Sequence, residues 1–109
     1  MKSLLDEMKQ CKSIKECHEI ATIDAYGDYE QASSWLTCIE EMFGKFDRVK
    51  VLEQEVVLEK FDLVNESSIV AICKKGKQRA KIALESIEFP KLTKVQVLWL
   101  NAWKKWANH

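Results

Sequence analysis

The sequence has no P-loop, no G-x-G-x-x-G and no C-x-x-C pair, and only two histidines, His18 and His109. The first two absences remove the glycine-rich phosphate cradles, and the third removes the common zinc and dithiol spacings. Neither histidine has a nucleophile or acid partner by motif, so the expectation is a protein that is not an enzyme. No apolar run is long enough for a signal peptide or a membrane span, the opening MKSLLDEMKQCK included. A cytoplasmic protein is expected, with Cys11, Cys17, Cys38 and Cys73 reduced and packed as small apolar residues. Cys17 and His18 are neighbours that point about 100° apart on a helix, so a zinc ion shared by both would need the helix broken there.

What is present suits one folded module. A chain of 109 residues builds one core and leaves no room for a second, so a single domain over 1–109 is expected. Hydrophobic residues make up 47% and charged residues 31%, which is a globular profile and argues against disorder. The formal net charge is +0, yet Lys15 and Lys45 bracket 29 residues without Lys or Arg. That stretch holds seven acids: Glu16, Glu19, Asp24, Asp28, Glu30, Glu40 and Glu41. From residue 46 onward twelve basic residues face eight acids. Such asymmetry either attracts ions to each region or makes two solvated faces that attract each other.

The first part of the chain, about 4–43, reads as helical. SLLD (3–6) and SIKE (13–16) each place an acid three residues after a serine, which predicts helices over about 4–11 and 14–25. Gly27 interrupts the pattern, and Asp28 is expected to cap a helix over about 28–43. Tyr29, Ala32, Trp35, Leu36, Ile39, Met42 and Phe43 then recur at spacings of three and four, and Gly44 ends the run. From about 47 to 87 the period becomes two and β-branched residues dominate. Strands are predicted over 48–52, 55–64, 68–74 and 79–87, with a hairpin at Gly76 and with Ala80, Ile82 and Leu84 on one face. Pro90 stops the sheet, Thr93 caps, and a last helix over about 93–106 carries Val95, Leu98, Trp99, Ala102 and Trp106 as its stripe, with Trp103 at the edge. The fold class is therefore α+β, with N-terminal helices and a C-terminal helix packed on a small, strongly bent, antiparallel SH3-like sheet or barrel.

Three constellations carry candidate chemistry. DAYGDYEQASSW (24–35) fails as an EF-hand: counting from Asp24, loop position 3 is Tyr26, the glycine comes two places early and the twelfth position is Trp35. A helix junction hinged at Gly27, with both tyrosine hydroxyls at the surface, fits better. KKGKQRAK (74–81) gathers five cations around one hairpin, which suits phosphate contact, but it lacks an aromatic residue to stack a base. A solvated tip that resists edge pairing is the stronger reading, and nucleic acid is an unfavoured partner. Trp99, Trp103 and Trp106 form either core or an exposed binding stripe, with Trp103 the one expected to be partly exposed.

DAYGDYEQASSW also resembles the signature of a cyanobacterial-type family of small calcium-binding proteins, in its Asp-Ala-Tyr, its acidic step, its Glu-Gln and its following Trp. RAKIALESI resembles the closing strand of that family, and NAWKKW its tryptophan-rich helical segment. The resemblance covers about residues 20–106. It implies N-terminal helices on an SH3-like barrel, with calcium held by surface acidic charge instead of an EF-hand, and only Asp24 and Glu30 match the motif position by position. The leading expectation is thus a non-catalytic protein that binds Ca²⁺ weakly, with Asp24, Asp28, Glu30, Glu40 and Glu41 as candidate ligands. The alternative is a protein-interaction module that uses the barrel face or the tryptophan-rich helix, with a homodimer as a special case.

Overall fold

A computed structural model describes residues 3–65 and 67–107; His109 lies outside them. It contains four α-helices and one four-stranded antiparallel sheet, as the α+β reading requires.

The helix starts follow local chemistry. In α1 (Leu4–Lys9), Ser3 Oγ accepts from Asp6 N at 3.2 Å while the Asp6 carboxylate accepts from Ser3 N at 3.5 Å, a complete capping box. In α2 (Ile14–Ala21), Ser13 Oγ accepts from Glu16 N at 3.2 Å, but the Glu16 carboxylate turns to Lys12 N. Both helices stop short of their predicted ends. At α2 the Thr22 hydroxyl donates to His18 O at 2.6 Å, and Asp24 then enters the left-handed region at φ 57°.

Asp28 does not cap α3 (Asp28–Phe43). Gly27 does, at φ 111°, because its carbonyl already accepts the first helical bond, from Gln31 N at 3.0 Å. Asp28 therefore sits in the first turn, where its charge complements the helix dipole. Gly44 is the C-cap of this helix, and a Cβ there would lie 2.4 Å from Glu40 O, which keeps the position for glycine. Thr93 caps α4 (Lys94–Ala107) as expected, in a reciprocal pair with Gln96. Gln96 Nε2 also donates to Met42 O at 3.0 Å, which ties the start of α4 to the end of α3.

The strands β1 (Arg48–Val51), β2 (Gln54–Val64), β3 (Ser68–Lys75) and β4 (Gln78–Ala83) follow each other as a meander in the order β1-β2-β3-β4. Leu58 pairs with Cys73 but Lys60 with Ile72, so Glu59 is an extra residue in β2. This bulge puts Leu58 and Phe61, three apart in sequence, on the same inner face. The fourth strand ends at Ala83, not at 87, because Leu84–Ser86 close into a 3₁₀ turn that buries Leu84. Glu88 then exchanges two 2.8 Å backbone bonds with Lys50 on the outer edge of β1. Among the described residues β1 and β4 do not pair, so these strands form an open sheet and not the closed barrel of the alternative expectation.

One core joins the layers, with Trp35 of α3 at its hub. Its ring meets Trp99, Trp103 and His18 edge-on, at centroid distances of 5.7, 5.6 and 5.7 Å, and Trp106 at a tilt at 5.9 Å. Edge-to-face contact of this kind suits the aromatic quadrupole and fixes α2, α3 and α4 against one another. Trp99 Nε1 donates to Met8 O at 3.0 Å, and the Trp103 indole donates to the Glu85 carboxylate. Trp103, expected at the edge, is 1% exposed, and Trp106 is the half-buried one. Tyr29, placed on the apolar stripe by spacing, is 57% exposed. Among the described residues no helix is long and apolar enough to cross a membrane.

Candidate functional site

The five carboxylates expected to hold calcium lie apart. Asp24 and Glu30 line one shallow groove with Ser33, Ser34 and Thr37. Glu30 is partly engaged, because its Oε2 accepts from Tyr26 N at 2.9 Å. Asp28 faces a different cleft, beside Gln31 and Glu85. Glu40 and Glu41 lie at the far end of α3, where Glu41 borders Lys9 and Lys45. Glu30 and Glu41 are separated by eleven residues of one helix, about 16 Å along its axis. Among the described residues no three His, Cys, Asp or Glu side chains come together to hold a metal ion.

The cysteines are built into the core. All four are free and buried. Burial pushes the Cys17 and Cys38 thiols up to about 12, and it raises Cys11 and Cys73 as well. These thiols are therefore neutral near pH 7, without the thiolate that a nucleophile or zinc ligand needs. His18 is directed elsewhere, with Nε2 3.0 Å from Ala102 O.

In the basic hairpin the outer cation Arg79 forms a two-bonded pair with Glu59, at 2.6 and 3.4 Å. That hydrogen bond holds the Glu59 carboxyl below its ordinary range and raises the Arg79 guanidinium. Lys75 lies on the other side of the sheet and donates to Gln54 Oε1 at 2.6 Å. Trp99 and Trp103 are core residues, and the exposed side of α4 carries Lys94, Val97, Asn101, Lys104, Lys105 and Ala107.

The feature that sequence reasoning missed is the inner face of the sheet beyond its helical cover. Near the helices that face is buried: Leu58, Phe61, Ile69, Ala71 and Leu84 are each less than a tenth exposed. Toward the two hairpin tips it continues as an open trough of about 440 Å³, with Val51, Val56, Cys73, Ala80 and Ile82 as its apolar lining. Gln54, Lys75, Gln78 and Arg79 form its polar border, with Arg79 held by Glu59. A second concavity, about 530 Å³, opens beside Ser67, Ser68, Glu85 and Trp106. It is mostly polar, whereas ligand pockets are predominantly apolar with a few placed polar groups, a description that the trough fits.

The rim of the trough holds the most irregular backbone of the sheet. Val51 pairs with Gln54 across a two-residue turn, and both turn residues are left-handed, Leu52 at φ 51° and Glu53 at φ 67°. Turns of this shape favour Asn-Gly, and a branched side chain there costs about 1–2 kcal/mol. Leu52 is also 88% exposed, at the lip of an apolar concavity. The sequence pattern places Leu52 at the end of the first strand, 48–52; it is instead the first residue of the turn, where leucine breaks local preference, and such breaks gather at functional sites.

The chain matches no family model, no curated protein and no solved structure.

Proposed function

We propose that this chain is a non-catalytic binding module of SH3-like build, and that the trough on the inner face of its sheet is the working surface. The SH3-like reading is supported by the meander β1–β4 followed by a 3₁₀ turn and a return to the outer edge of β1 at Lys50. The binding role rests on one observation: an apolar concavity of about 440 Å³ left open beside the core, with the strained, exposed Leu52 at its lip. Exposed apolar surface of this kind is unfavourable unless something covers it.

A neutral solvatochromic dye such as Nile red tests the role. Saturable uptake is expected in the natural protein, with loss in Ala80→Trp, whose indole fills the trough, while far-ultraviolet circular dichroism stays unchanged. No uptake, or undiminished uptake in the folded Ala80→Trp variant, removes the reading.

Calcium is the second reading, favoured by one observation. Asp24 and Glu30, which carry the family resemblance, are the pair of the five that share a groove, and the hydroxyl residues Ser33, Ser34 and Thr37 line it too. Calorimetry at moderate salt tests it, and a folded protein that gives no heat at millimolar Ca²⁺ disposes of the idea.

A further inference from the structure

The trough is graded along its length. Cross-strand pairs between β3 and β4 supply successive inner rungs: Ala71–Ile82, then Cys73–Ala80, then Lys75–Gln78. On the facing limb Val56 is followed by the Val51–Gln54 pair. One end is therefore wholly apolar, while the other is bordered by two amides, the Lys75 ammonium and the Arg79 guanidinium, the last neutralised by Glu59.

Of the two cations of that border, Arg79 is paired with Glu59, whereas the hydrogen-bond partner of Lys75 is neutral. Its Nζ donates to Gln54 Oε1 at 2.6 Å, and among the described residues no carboxylate lies within ion-pair distance of it. The nearby acids of β2 are engaged with other cations, Glu55 with Arg48 at 2.9 Å and Glu59 with Arg79. The same contact pins Gln54: with its oxygen on Lys75, its amide N–H groups remain as donors. An ammonium with two donors to spare, beside an amide that presents N–H groups, makes a head-group site for a small singly charged anion.

We propose that the trough binds a small amphipathic carboxylate, an acyl or aryl chain lying along Val56, Cys73, Ala80 and Ile82 with its carboxylate on Lys75 and Gln54. This rests on the binding role proposed above and adds the ligand class to it. The volume, about 440 Å³, lies within the range of small-molecule pockets, about 300–1,000 Å³. A single ammonium suits one negative charge, and the apolar end offers no partner to a second polar group.

The test is a series of straight-chain carboxylates from hexanoate to dodecanoate beside the alcohols of the same lengths, below their micelle concentrations, followed by displacement of Nile red and by calorimetry. Affinity is expected to rise up to about fourfold per added methylene until the trough is full. Each carboxylate is expected to bind about tenfold more tightly than its alcohol. Lys75→Gln removes that preference and leaves alcohol affinity unchanged, while Lys81→Gln, on the outer face, leaves both unchanged. Equal binding of alcohols and carboxylates, or equal losses in the two lysine variants, overturns the carboxylate assignment and leaves the apolar binding role standing. Failure of dye, alcohols and carboxylates alike overturns both.

Discussion

The two halves of the sheet's inner face are made of the same kinds of residue and have opposite fates. Leu58, Phe61, Ile69 and Ala71 are sealed beneath the helical layer, whereas Val51, Val56, Ala80 and Ile82, on the same face of the same sheet, line an open trough. The difference comes from cover, not from composition. The helical layer converges on Trp35, with His18 of α2 and Trp99, Trp103 and Trp106 of α4 around it. An eleven-residue strand such as β2 spans about 36 Å and outruns that layer. Strand pairing continues past the last helix contact, because backbone hydrogen bonds hold it whether or not side chains are covered.

Mutation of the two halves should separate them most sharply at Trp35. Trp35→Ala empties the hub and is expected to cost about 3–5 kcal/mol, a large share of a typical stability of about 5–15 kcal/mol. Ile82→Ala in the open half should cost less than about 1 kcal/mol. Urea denaturation followed by circular dichroism measures both, and equal losses would mean that the trough is core after all. The indole hydrogen bonds give a smaller contrast within the covered half. Trp99→Phe takes the indole donor from the Met8 carbonyl, which keeps its 3.3 Å bond from Cys11 N, and is expected to lose about 0.5–1.5 kcal/mol on that account. Trp35 Nε1 finds no hydrogen-bond partner among the described residues, so Trp35→Phe loses packing but no hydrogen bond.

At the rim of the open half a gain is expected. Leu52→Asn combined with Glu53→Gly supplies the residues that a left-handed turn prefers, and should raise stability by about 1 kcal/mol. The same change removes Leu52 from the lip and should weaken dye uptake. Higher stability with full uptake would show that Leu52 plays no part in binding.

A further effect belongs to pH. Burial raises Cys17 and Cys38 from 9.0 to about 12, so the folded state holds their protons more tightly than the unfolded state does. The stability they contribute is complete below 9.0 and is lost as pH rises toward about 12. Denaturation midpoints should decline slightly between about pH 8 and 9.5 and more steeply beyond, and Cys38→Ala should flatten the decline.

Much of the architecture was legible because it depends on neighbours in sequence. The Ser3–Asp6 box, the Thr93 cap, the long helix α3 and the hairpin at Gly76 all follow from patterns a few residues long. The misplaced features depend on distant partners. Trp103 is buried because Trp35 and Glu85 receive it, and β4 stops early because Leu84 turns into the core. Asp28 lost the cap to Gly27, a competition decided by which carbonyl accepts the first helical bond. The β2 bulge left a trace in the spacing of Leu58 and Phe61, which breaks the period of two. The trough left almost none beyond the unusual turn at Leu52.

By itself the sequence determined which segments are helix and strand, where most of them begin, and which side chains of each strand share a face, because caps, turns and alternation act over a few residues. Only the tertiary structure decided which part of the inner face is core and which is open, and that Lys75 stands beside Gln54 at its border. Those outcomes depend on where the helices come to rest on a sheet longer than the layer they form, and no local pattern encodes that.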